Sequence, residues 1–220
     1  AMDTHNQDLQ ELVHQLRAKK EVLGVAIFGS YARGDQRPDS DIDVFVLIKK
    51  GVRRDVERIG KTNFEFVYVS YEEALKFYKN NPNDCVQLWK DAKILFDDNG
   101  LLKKLCAYAH RIEKKGKKPI SELKLKHFRF DTEDSIRAME SLMETDSATA
   151  NLYACIRAAN LLELYFDIHM LWTPPPKKQL LFLRKHDREA AHVFDAFYQA
   201  ESTQKRIKCL KKIKENVFER

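Results

Sequence analysis

Along the first half of the chain, short apolar runs alternate with polar breaks, whereas along the second half apolar residues recur only at helical spacing. Leu9, Leu12, Val13 and Leu16 lie three and four apart and predict a helix over residues 8–16. Val22 to Phe28 (VLGVAIF) is a short apolar run rich in branched side chains, which predicts a buried strand. Gly29-Ser30 breaks it, and a polar loop with Gly34, Pro38 and Asp39 follows. Asp41 to Ile48 (DIDVFVLI) predicts a second strand; beyond Asp43 both its faces are apolar, as in a central strand covered on both sides. Residues 51–60 are charged and predict a helix. Phe64 to Val69 (FEFVYV) predicts a third strand. Ser70, with Glu73 three residues on, forms a capping box that opens a helix from Tyr71 to Tyr78. Residues 80–83, with Pro82, predict a turn; Lys93 to Phe96 predicts a short fourth strand, and Asn99-Gly100 introduces a helix reaching about Glu113.

The texture changes after the Lys-rich segment 114–119, and from Ser121 onward only helical periodicity remains. Leu152, Ile156, Ala159, Leu162, Phe166 and Met170, spaced 4, 3, 3, 4 and 4 apart, form one continuous apolar stripe. Pro174-Pro175-Pro176 should end that helix, because proline lacks the N–H and clashes with the preceding turn. Two further helices, roughly 186–199 and 201–217, complete a bundle. The pattern therefore predicts an α/β (α+β) domain over residues 1–115, with a mixed sheet flanked by helices, and an all-α helical bundle over 116–220.

Composition narrows the class of protein. With 220 residues and 44% hydrophobic content, the chain can bury one large core or two small ones. No run of eighteen apolar residues occurs, so no membrane span is expected. The opening residues are polar and acidic, unlike a secretory signal. The four cysteines, Cys85, Cys106, Cys155 and Cys209, form no CxxC pair and read as reduced thiols of a cytoplasmic protein. The net charge of +6 favours anionic partners. Much of the basic excess sits in 111–119 and 205–214, where solvated helix faces and a linker explain it as well as an RNA site does, so nucleic acid is not the favoured partner.

The chemistry lies between Phe28 and Leu47, FGSYARGDQRPDSDIDVFVL. A strand ends in Gly29-Ser30 and leads into a turn of helix. Gly29 permits close approach of backbone to ligand, the first amides of a helix favour phosphate, the Ser30 hydroxyl adds a donor, and Arg33 can reach the same anion. Asp41 and Asp43 are one residue apart on a strand, so both carboxylates point to one face. Side by side they repel, and a divalent cation removes the conflict; Mg²⁺ prefers one or two carboxylates plus phosphate oxygens and water. Glu65 on a neighbouring strand can supply a third carboxylate. Three carboxylates can hold two ions, which stabilise the attacking and leaving oxygens of nucleotidyl transfer from ATP or another nucleoside triphosphate.

These residues carry a resemblance. FGSYARG followed by SDIDVFVL resembles the signature of the DNA polymerase β-like nucleotidyltransferase superfamily, with Gly29, Ser30, Arg33, Gly34, Ser40, Asp41 and Asp43 in their places. FEFVYVSYEEA is similar to the strand bearing the third carboxylate in its kanamycin-nucleotidyltransferase branch, which maps that role to Glu65. The resemblance implies a helical-bundle partner domain of HEPN-like kind and, from that bundle, a general base for which Glu163, four residues before Asp167, is the candidate. The expected function is transfer of AMP from ATP to a hydroxyl of a small acceptor, an antibiotic being the best-known case. The +6 charge weighs against a polycationic aminoglycoside and leaves a lincosamide open. Two other functions fit the pattern: modification of protein or RNA in a toxin–antitoxin module, and a non-catalytic nucleotide-binding module. A homodimer through the bundle is compatible with each.

Overall fold

The computed structural model describes residues 4–37 and 39–219, so Pro38 of the polar loop lies outside the described residues. The chain divides into two compact units, Ala1–Lys115 and Gly116–Arg220.

In the first unit the two most apolar runs become central strands. β1 (Val22–Phe28) and β2 (Ile42–Ile48) are buried on both faces and pair antiparallel. β2 pairs parallel with β4 (Thr62–Val69), β4 antiparallel with β3 (Val52–Ile59), and β1 antiparallel with β5 (Lys93–Asp97), giving a mixed sheet ordered β3-β4-β2-β1-β5. Period-two alternation sorts the side chains. Val25, Ile27, Ile42, Val44, Val46, Phe64 and Phe66 face α1 (Thr4–Arg17) and the short α2 (Gly29–Arg33). Ala26, Phe28, Phe45, Leu47 and Val69 face α3 (Tyr71–Asn80), α4 (Pro82–Trp89) and α5 (Leu101–Lys115). Ser70 caps α3 as predicted, accepting from the Glu73 amide at 3.4 Å.

Two expectations fail here. Residues 51–60 are not helical: β3 pairs residue by residue from Val52↔Val69 to Ile59↔Thr62. An edge strand bonds on one side only, so Arg53, Arg54, Asp55, Glu57 and Arg58 can all stay in water, which is why the segment looks like a solvated helix. The hairpin closes through Gly60-Lys61, with Gly60 at φ +60 in the first loop position, where a two-residue II′ turn takes glycine. Nor is Pro82 in a mere turn; it opens α4, where its fixed φ suits the first helical position and no N–H is needed.

A ring cluster fixes the base of the second layer. Phe28, Phe45 and Trp89 stand 5.1–5.4 Å apart, with Trp89 1% exposed. Trp89→Ala should therefore destabilise this unit by about 3–5 kcal/mol in urea unfolding and loosen Phe28, which precedes Gly29. Burial also pushes the Cys85 thiol up to about 12. All four cysteines are free. In the native protein, Cys85 should react with a thiol reagent on the order of a thousandfold more slowly than an ordinary cysteine, and at a normal rate once unfolded; mass mapping of alkylated peptides reads this directly.

Every regular element among the described residues of the second unit is a helix: α6 (Glu122–Leu142), α7 (Ser147–Ile168), α8 (Pro176–His186), α9 (Arg188–Tyr198) and α10 (Thr203–Phe218). Met139, Leu161, Phe166, Phe194, Phe197 and Leu210 form its core. The face of α7 that packs differs from the predicted stripe. It runs Ala150, Ala154, Ala158, Leu161, Leu162, Tyr165 and Phe166, so Leu162 and Phe166 of the stripe are buried as expected, while Leu152, Ile156, Ala159 and, past the helix end, Met170 are exposed. The small alanines let α6 and α10 approach closely, and the larger side chains on the opposite side of the helix are left outside. The triple proline does not end α7 either. The helix stops at Ile168, Met170 adopts φ +54, and Pro176 begins α8, a helix absent from the sequence reading. Lys117 holds the segment after α7: its ammonium meets Asp167 at 2.5 Å and the Leu171 carbonyl and Thr173 hydroxyl at 3.2 Å. No helix among the described residues is long and apolar enough to cross a membrane.

Candidate active site

The end of β1 is shaped by one glycine. Gly29 has φ +68, a conformation other residues seldom adopt, and a Cβ built there would meet Asp43 Oδ2 at 2.2 Å. Glycine is thus required for two independent reasons, backbone angle and space for a carboxylate. Ser30 follows, and its carbonyl accepts from the amides of Gly34 and Asp35 at 2.9 and 3.0 Å, closing the single turn of α2.

Asp43 is the second residue of β2. In register beside it are Phe28 on β1 and Glu65 on β4. Register partners share a face, and neighbouring strands lie about 4.8 Å apart, so the Asp43 and Glu65 carboxylates emerge side by side. They open onto a cavity of about 420 Å³. Gly29, Asp43 and Glu65 line it, Val52 and Arg54 line it from the edge strand β3, and Glu73 and Phe77 line it from α3. Burial of Tyr78 in the cavity wall raises its phenol well above the ordinary value, so it stays neutral.

The other candidates of the first unit do not line this cavity. Asp41 is exposed immediately before β2, and it, Ser30 and Arg33 are not among the lining residues. The Arg33 guanidinium pairs with Asp35 at 3.2 Å and Asp91 at 3.9 Å. Glu163 lies in the second unit on the exposed flank of α7, and Asp167, one turn on, is engaged by Lys117. His169 accompanies Tyr165, with Nδ1 2.8 Å from its carbonyl and the rings 4.1 Å apart, which is a packing role.

Among the described residues no three His, Cys, Asp or Glu side chains gather into a ready-made metal cage. What the strands offer is a carboxylate pair on one face with a third acid close by in sequence. That donor set fits a hard cation such as Mg²⁺, which completes its octahedron with phosphate oxygens and water.

Sequence reading missed the far wall. Val52 and Arg54 were hidden by the helical reading of 51–60; only Gly60-Lys61, set just before the apolar run from Phe64, hinted at a hairpin loop. Glu73 and Phe77 lie one helical turn apart on α3, and Glu73 was read only as part of the capping box.

A nucleotidyltransferase-like protein from Exiguobacterium sibiricum 255-15 superposes with a TM-score of 0.53 at 13% identity, over 97% of this chain and 74% of that one. At that identity the likeness is one of fold. No curated protein is a significant match. The nucleotidyltransferase domain model matches residues 9–137, running from α1 through the whole sheet into α6. The carboxylate pair, the glycine against it and the strands that hold them all fall within that span, and the chain belongs to the nucleotidyltransferase domain family.

Proposed function

We propose that the chain transfers AMP from ATP to a hydroxyl of a small acceptor, with an antibiotic among the candidate acceptors. The observation that carries this is the contact of Gly29 with Asp43, beside an in-register Glu65 at the mouth of a cavity. Asp41, Asp43 and Glu65 would hold two Mg²⁺ ions, which when bound neutralise charge on the phosphates and the departing pyrophosphate. Gly29-Ser30 brings backbone amides and a hydroxyl to the triphosphate, and Glu65 accepts the acceptor's proton. The hydroxyl oxygen bonds the α-phosphorus as the bond to the α–β bridging oxygen breaks, and pyrophosphate leaves with the electron pair. The test is incubation with α-labelled ATP and Mg²⁺ against pooled lincosamides and aminoglycosides, RNA, or cell protein. Label on a small molecule supports the proposal; label confined to RNA or protein, or none anywhere, overturns it.

A further inference from the structure

The two ends of the cavity differ in chemistry, and the sheet order assigns them. In sheet order, Gly29 follows β1, Asp43 stands on β2, Glu65 on β4, and Arg54 and Val52 on β3, paired with Val67 and Val69, two and four residues beyond Glu65. In an in-line displacement the leaving pyrophosphate and the attacking hydroxyl lie on opposite sides of the phosphorus. With the triphosphate at Gly29-Ser30, which rests on the reading proposed above, the acceptor approaches from β3.

The lining away from the carboxylates is apolar and open. Val52 is 64% exposed, Phe77 47% and Leu88 38%, and all three line the cavity. Such a patch bordered by charge marks a ligand groove. The charges also discriminate. Asp43 and Glu65 belong to the reaction, leaving Glu73 and the cation Arg54 on the far wall. A polycation needs clustered acid, and this wall presents an acid and a base. The 420 Å³ volume suits a small organic body.

We infer that the β3–α3 end seats the acceptor, and that this acceptor is a hydroxyl compound with an apolar, uncharged or anionic body. The chemistry is recognised by Val52 and Phe77 for the body and by Arg54 for any negative charge.

Two measurements test this. Anilinonaphthalene sulfonate, an aromatic anion, should bind saturably and fluoresce, and its affinity should fall at least tenfold in Val52→Ser and Phe77→Ser. Both side chains are exposed, so the fold should hold; Leu181→Ser, an exposed residue of α8 in the second unit, should leave binding unchanged. Saturating Mg²⁺–ATP should leave the dye bound. In the second measurement, phenylpropanol and kanamycin compete for label from α-labelled ATP, and phenylpropanol should be labelled preferentially. Dye binding indifferent to both variants overturns the inference, as does displacement of dye by ATP, which would give the cavity to the nucleobase. Label on kanamycin at a rate unaffected by Phe77→Ser also overturns it while leaving nucleotidyl transfer standing. No label on either alcohol, with Mg²⁺–ATP binding unaltered by Asp43→Asn, overturns the proposed function instead, and the dye titration then still decides whether the apolar seat exists.

Discussion

Asp43→Asn should lower the nucleotidyl transfer rate by roughly a thousandfold while the first unit stays folded. The substitution keeps size and shape and removes only the charge. Asp43 sits at the centre of the arrangement, between Phe28 and Glu65 in register and against the Gly29 backbone. A carboxylate holding a catalytic cation supports several kcal/mol of transition-state stabilisation, and about 4 kcal/mol corresponds to the thousandfold loss. Initial rates with α-labelled ATP, beside a thermal melt of the same sample, separate chemistry from folding. A variant that melts like the parent and keeps full activity would remove Asp43 from the proposed metal site.

Gly29→Ala should act on the same carboxylate from the other side. Alanine at φ +68 carries backbone strain of about 1–2 kcal/mol, and its Cβ would stand 2.2 Å from Asp43 Oδ2, so the carboxylate must move. Displacement of a reacting group by an ångström can cost about a hundredfold in rate, which is the loss expected. Gly34 provides the control. It has φ +79, yet a Cβ there meets nothing within 4 Å, so Gly34→Ala bears the strain without the collision. A stability loss in Gly29→Ala at least as large as in Gly34→Ala, with activity falling only in Gly29→Ala, is the expected result. Equal loss of activity in both would mean that backbone strain, and not the carboxylate contact, is what matters.

The parts of this fold that could be read from the sequence are those whose physics is local. Val22–Phe28 and Ile42–Ile48 are buried on both faces, so apolarity alone reveals them. Ser70 announces α3 because a cap and its amide lie three residues apart. β3 escaped because its partner is another strand and its outer side is water; nothing within residues 51–60 alone separates an edge strand from a charged helix. On α7, size misled: the buried face is built from Ala150, Ala154 and Ala158, and the larger Leu152 and Ile156 stay outside. At the site, Gly29, Asp43 and Glu65 were legible as a motif. Arg54 and Phe77 were not, because only the pairing of β3 with β4 and the packing of α3 bring them to one cavity.

The charged edge of β3 has a consequence for how the protein behaves in concentrated solution. Its outer row of backbone amides and carbonyls has no neighbouring strand in the sheet, and such a row is a template for adding a strand from another molecule. Val52 and Val56 on that strand, 64% and 77% exposed, would reward the addition. Arg53, Arg54, Asp55, Glu57 and Arg58 act as gatekeepers, since an added strand would have to desolvate them. Replacing Arg53, Glu57 and Arg58 together by threonine should leave the monomer folded yet turn it toward intermolecular β-sheet, seen as light scattering that grows with protein concentration. The density of charge that disguised this strand is what keeps the molecules apart.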